Sequence, residues 1–142
     1  MASSSAHCWP TAPLLDKLFL QAQDFANQTL IITYPVPDEM LDLVRPVLEP
    51  ASVRPPRRTT ELTVAMQQLV ASGRGVAALP LWVVPGYLDR GYVAARPIGV
   101  RGLPGKLHAA GLPQLSPRPF LQDFVRVTRE TSCVTLKGVE LL

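Results

Sequence analysis

The sequence predicts an α/β fold, and three stretches carry that prediction. Residues 61–80 read as a helix, a glycine stop, a buried strand and a closing proline. Residues 29–34, Thr-Leu-Ile-Ile-Thr-Tyr, read as a strand rich in β-branched and aromatic side chains. Residues 82–98 repeat the succession, a short helix stopped at Gly91 and then a strand over 92–98.

In the first stretch Leu62, Ala65, Met66, Leu69 and Gly73 share one helical face, and Gln67, Gln68 and Ser72 share the other. Thr60 or Thr63 fits the cap, because a hydroxyl accepts a bond from a first-turn amide. Gly73 suits the left-handed position past a helix end, where a side chain clashes. The unbroken apolar run Val76, Ala77, Ala78 and Leu79 suits a strand covered on both faces. Pro80 cannot donate to a ladder and closes it.

Taken in order, residues 1–23 read as an irregular start, with Ser3, Ser4 and Ser5 followed by Pro10 and Pro13. After the strand at 29–34, Pro35 and Pro37 break the chain and Asp38 fits a helix cap. The helix it opens runs through Met40, Leu41, Val44, Val47 and Leu48. Pro46 lies inside that run and predicts a kink or an early end near Val44. Residues 53–60 hold Arg54, Arg57 and Arg58 in an extended connection with a short strand near 58–60. The same arginines would also serve as a phosphate-binding patch, although no helix-turn-helix or interleaved aromatic accompanies them. Trp82 and Val83 begin a helix in which Pro85 fits only the first turn. Residues 106–110 read as another strand, and Ser116 with Pro117 as the start of a last helix. Phe120, Phe124 and Val127 form its apolar stripe, widened by Leu121 and Val125.

The composition fits one soluble α/β domain of 142 residues with a net charge of +3. Fifteen prolines call for short elements and fixed turns. The two cysteines, Cys8 and Cys133, form no CxxC pair and make no disulfide scaffold. The start lacks a basic region before an apolar one, and no apolar run reaches membrane-spanning length, so the expected location is cytoplasmic with no membrane partner.

Catalytic and cofactor motifs are not found. There is no HExxH, GxSxG, GxxxxGK[ST] or GxGxxG sequence, and Gly73-Arg74-Gly75 has the wrong order of elements for a dinucleotide fingerprint. His7 beside Cys8 is at most half of a metal site. His108 falls in an expected strand, where a hydrogen-bonded structural role fits best. The acidic residues Asp24, Asp38, Glu39, Asp42 and Glu61 fit caps and solvated helix faces. No cofactor, metal or catalytic residue is assigned, and the chain is read as a non-enzyme.

Residues 68–80, Gln-Leu-Val-Ala-Ser-Gly-Arg-Gly-Val-Ala-Ala-Leu-Pro, resemble the signature of the effector-binding domain of LysR-type transcriptional regulators. Residues 24–35 resemble the start of that family's second subdomain, 48–55 the helix end and turn that follow, and 82–93 its next helix and strand. Residues 106–110 and 120–125 resemble its return strand and C-terminal helix. The strings Thr-Tyr-Pro-Val at 33–36 and Leu-Pro-Leu-Trp-Val-Val at 79–84 are most similar to the methionine-biosynthesis branch. The family's winged helix-turn-helix and the first half of its effector domain have no counterpart here, so the resemblance implies an N-terminally truncated piece. Pro46 interrupts a helix that is usually continuous, and Ser52 stands where the family often has glycine.

The resemblance implies a fold like the type 2 periplasmic binding proteins, mainly the second regulatory subdomain with a partial return into the first. It divides the chain into a segment 1–23 and a partial effector-binding domain 24–142. Tyr34, Pro35, Glu61, Leu62, Thr63 and Pro80 would line one wall of an effector cleft. The effector would be small and amino-acid-like or anionic, with homocysteine as the candidate if the branch holds. DNA would be reached only through a missing N-terminal domain, and the uncovered C-terminal helix would favour self-association. The competing readings are a stand-alone small-solute-binding module with no DNA role and a small α/β enzyme without an evident catalytic set.

Overall fold

The computed structural model describes residues 2–8, 12–33, 36, 43–108 and 110–141. Its elements are β1 (Ala2–Cys8), α1 (Ala12–Leu15), β2 (Leu30–Thr33), β3 (Arg57–Thr60), α2 (Thr63–Ala71), β4 (Ala78–Pro80), α3 (Pro85–Asp89), β5 (Arg96–Pro97), β6 (Leu103–Leu107), α4 (Pro119–Thr135) and β7 (Glu140–Leu141). Single helical turns at Ala22–Phe25, Val44–Leu48, Leu81–Val83 and Pro113–Leu115 connect them.

Two sheets organise the chain. β2 and β3 pair in parallel, Leu30 opposite Arg57 and Thr33 opposite Thr60. Val76 joins on the other side of β2, accepting from the Ile31 amide at 2.8 Å and donating to the Thr29 carbonyl at 2.9 Å. The expected strand over 76–79 is therefore divided: Val76 belongs to β2, and the strand proper is β4, which pairs antiparallel with β1. β1 lies at the centre of the second sheet, with β4 and β7 along one edge and β5 and β6 along the other. This corrects the irregular start expected for residues 1–23. A serine-rich run shows no strand signal of its own, and its order comes from four partners distant in sequence.

β2 is covered on both faces, as a parallel strand requires. Leu30 enters one cluster with Leu14, Leu20, Phe25, Leu43, Val44, Leu48, Val53, Val76 and Ile98. Ile31, pointing the other way, packs with Met66, Val70, Ala77 and Val84. The buried face of α2 is therefore turned from the expected one: Met66, Gln67 and Val70 are deepest and Leu62 is exposed. Gln67, expected on the polar side, is buried because its Nε2 donates to the Val83 carbonyl at 3.1 Å.

Helix ends follow one pattern. Past α2 the Gly73 and Arg74 amides donate to the Val70 and Leu69 carbonyls, and Gly73 holds φ +69°. Past α3 the Gly91 and Tyr92 amides donate to Leu88 and Tyr87, with Gly91 at φ +68° and the two tyrosine rings edge to face at 6.1 Å. Past the turn Val44–Leu48, Ser52 and Val53 donate to Glu49 and Leu48 in the same way, but the left-handed residue is Ser52 at φ +55°.

Pro46 does not end its helix near Val44. The winding continues to Leu48 in a wide turn, with the Leu48 and Glu49 amides reaching back five residues to Leu43 and Val44. A proline amide cannot donate and its ring crowds the preceding turn, which the wider winding relieves. The start expected for that helix at Asp38 lies outside the described residues.

Three further expectations shift. The helix near Trp82 begins at Pro85, after a separate turn at Leu81–Val83. The strand expected over 92–98 shrinks to Arg96–Pro97, with Ile98 bridging Leu20. The return strand is Leu103–Leu107, three residues earlier than expected, which leaves His108 exposed and outside it.

Candidate functional site

Leu30 pairs in parallel with both Arg57 and Val76, so β2, β3 and the segment entering β4 run the same way. Their carboxyl ends are Thr33, Thr60 and Pro80. α2 begins three residues beyond Thr60, at Thr63. Carboxyl strand ends beside a helix start are where α/β folds collect ligands.

The expected cap is not made. Leu62, not a hydroxyl residue, occupies the cap position in extended conformation, with φ −116° and ψ 130°, and makes no side-chain cap bond. The first helical bond runs from the Met66 amide to the Leu62 carbonyl at 3.0 Å. The amides of Thr63, Val64 and Ala65 precede it and have no acceptor within the helix. Around them Glu61, Leu62, Thr63 and Val64 are exposed, Leu62 by 68% and Val64 by 63%. Two exposed aliphatics, a hydroxyl and a carboxylate thus surround a positive helix end.

Of the expected site residues, Glu61, Leu62 and Thr63 are contiguous at this helix start. Pro80 is half-buried at the end of β4, opposite Ala6 of β1. Tyr34 and Pro35 lie outside the described residues. Two residues were not singled out from sequence. Val64 is one, signalled only by an apolar residue in the first turn on the face away from Met66. Trp82 is the other: its indole N–H is buried and lacks an acceptor among the described residues. No local signal marks a buried indole without a partner. Nor do the described residues contain three or more His, Cys, Asp or Glu side chains grouped to hold a metal ion.

A second concavity lies elsewhere. A groove of about 710 Å³ runs between the loop at Ala110, Gly111 and Leu112 and the face of α4 bearing Leu121, Phe124 and Val125. A third, of about 690 Å³, is lined by Val44, Glu49, Ser52, Val53, Arg54 and Arg57. It includes two of the three arginines read as a candidate phosphate patch, together with a carboxylate. Among the described residues no helix is long and apolar enough to cross a membrane.

The parallel strand ends, the helix start between them and the helix-turn-strand succession define an α/β domain with a candidate ligand site, and the chain belongs to the LysR substrate-binding domain family, whose model matches residues 5–132. Within that family it is similar to the helix-turn-helix-type transcriptional regulator MetR of Haemophilus influenzae, at 44% identity over 135 residues, covering 95% of this chain and 43% of that protein. MetR of Escherichia coli K12 is 36% identical over 131 residues, covering 92% of this chain and 41% of that protein. The chain thus spans about two fifths of the length of these relatives. The regulatory domain of MetR from Neisseria meningitidis, a LysR family regulator, superposes with a TM-score of 0.89 at 44% identity, covering 99% of this chain and 66% of that one. The effector-binding domain of QuiR bound to shikimate shares the fold, with a TM-score of 0.57 at 16% identity over 79% of this chain.

Proposed function

We propose that this chain is the effector-sensing part of a LysR-type transcriptional regulator of the MetR kind, without catalysis of its own. The observation that carries the reading is the uncapped start of α2 at the carboxyl ends of β2 and β3. The amides of Thr63, Val64 and Ala65 suit a carboxylate, each such dipole contact contributing about 0.3–1 kcal/mol. Glu61 beside them suits an ammonium group, and Leu62 with Val64 an aliphatic stem. An amino-acid-like effector offers all three, and homocysteine is the candidate consistent with the MetR relatives. Tyr34, Pro35 and Pro80 complete this wall in the proposal.

Two further parts belong to it. DNA is reached through another part of the full-length regulator, since the curated relatives are named as helix-turn-helix proteins and the described residues hold no recognition helix pair. The exposed stripe on α4 favours self-association of the isolated chain. The relatives' regulatory role favours this reading over a stand-alone solute-binding module, and the location expected is the cytoplasm.

Calorimetry with the isolated chain and with the full-length regulator tests the proposal. One wall leaves a ligand largely hydrated, so the isolated chain should bind homocysteine weakly or not at all, and the regulator much more tightly. Micromolar binding of one compound by the isolated chain, unaffected by Thr63→Ala and by Tyr34→Phe, would remove both the half-site argument and the choice of residues.

A further inference from the structure

The chain passes twice between the two sheets, and the two crossings are held differently. The second runs through Val76 and Ala77, both fully buried, with Val76 bonded through its backbone to β2. The first leaves β1 at Cys8 and reaches β2 at Leu30. It is anchored again at Leu20, whose amide donates to the Pro97 carbonyl and whose carbonyl accepts from the Gly99 amide, both at 2.8 Å. Ahead of that anchor Asp16, Lys17 and Leu18 are exposed, and residues 16–18 add nothing to either core.

Among the described residues, the bonds that tie residues 15–17 to the sheet come from one side chain. Arg96, on β5, donates from Nε to the Lys17 carbonyl at 2.8 Å and the Leu15 carbonyl at 3.1 Å, and from Nη2 to Leu15 at 2.6 Å. Its Nη1 reaches the Ala95 carbonyl at 3.0 Å. Cys8 lies directly opposite Arg96 in the sheet, so the guanidinium sits where the crossing departs. The Lys17 ammonium in turn pairs with Asp24, whose other oxygen accepts from the Gln21 amide at 2.8 Å. A guanidinium presents a rigid fork to several carbonyls at once, which the single ammonium of lysine cannot reproduce.

We infer that Arg96 is a releasable latch on the first crossing. With the fork engaged, residues 15–19 are held against β5. With it released, the exposed residues 16–18 within this stretch open while the cores stay closed, because their opening exposes little apolar surface and breaks mainly the guanidinium bonds. The regulatory consequence, a β1 sheet freed to shift against the β2 unit, rests on the effector-sensing reading. The latch does not, and it is tested without effector.

Trypsin cuts after Lys17, whose carbonyl is one that Arg96 holds, and the Arg96–Pro97 bond is not a trypsin site in any variant. In the whole chain, Arg96→Ala and Arg96→Lys should each raise cleavage at Lys17–Leu18 about tenfold or more, as expected for losing charged hydrogen bonds. Hydrogen exchange at the Ile31 and Val76 amides should stay as in the unsubstituted chain. Unchanged cleavage in either variant overturns the latch. Faster cleavage with a matching loss of protection at Ile31 and Val76 also overturns it, since Arg96 would then be a staple of the whole fold.

Discussion

α2 and α4 both carry apolar residues at helical spacing and have opposite surroundings. α2, nine residues long, buries Met66, Gln67 and Val70 against β2 and the turn at Val83. α4, seventeen residues long, buries none of its residues fully: Leu121 and Val125 are half-covered, while Phe120 and Phe124 are 64% and 65% exposed. On α4 the exposed apolar residues Phe120, Phe124, Val127 and Val134 lie along one side of the helix. Along α4, Arg126 is bonded to Asp123 at 3.0 Å and lies near Glu130 at 3.6 Å, pairs of a few tenths of a kcal/mol each. The difference teaches that periodicity specifies a helix but not what covers its apolar residues.

The largest effect should come where α2 is joined to its sheet. Gly75 holds φ +156°, and a Cβ there would lie 2.3 Å from the Thr29 carbonyl oxygen that the Val76 amide needs. Gly75→Ala should cost about 4 kcal/mol or more in chemical denaturation, or prevent folding. Met66→Ala should cost about 2–5 kcal/mol by leaving a cavity between α2 and Ile31.

On α4 the same measurement should give the opposite answer. Phe120→Ser with Phe124→Ser should change the free energy of unfolding by no more than about 0.5 kcal/mol. Sedimentation should show less self-association. A loss comparable to that of Met66→Ala would mean that α4 is covered in the isolated chain after all.

Much of this contrast could be read from the sequence, and the rest could not for definable reasons. Gly73 and Gly91 announced the ends of α2 and α3 because a left-handed residue without a Cβ leaves a local mark. Ser52 fills the same position without that mark and was visible only through the family resemblance. The strand at Ala2–Cys8 was not legible, because Ser3, Ser4 and Ser5 have no strand preference and the strand as a whole pairs with partners distant in sequence, at 78–80, 96–97, 103–107 and 140–141. Burial of Gln67 depends on one carbonyl at Val83. At the site, the family resemblance pointed to Glu61, Leu62 and Thr63, and the order of strand end and helix start agreed with it only in part. The absence of a hydroxyl cap at Leu62 and, among the described residues, the lack of an acceptor for the Trp82 indole arise only from tertiary placement.

Two smaller effects sharpen the contrast between cored unit and periphery. Asp24 lies at the edge of the first core: burial pushes its carboxyl up, but the Gln21 amide and the Lys17 ammonium outweigh it and hold the group below its ordinary value of 3.8. A depressed folded value means that its contribution is present above about pH 4 and is lost as the solution is acidified through the folded value. Asp24→Asn should flatten that acid limb of a stability–pH curve. Smallest of all, Ser52→Gly should relieve the strained φ of +55° and raise stability by up to about 1 kcal/mol, less what glycine adds to the entropy of the unfolded chain.

The central claim is that the uncapped start of α2 holds the effector's carboxylate, and Thr63→Pro tests it most directly. Proline is tolerated at the first helical position, and Leu62 before it is already extended, so the substitution removes one amide and one hydroxyl without disturbing the helix. Titration of the full-length regulator with homocysteine, unsubstituted and Thr63→Pro, should show about tenfold weaker binding or more at an unchanged melting temperature. Equal affinity in the two proteins would contradict the account.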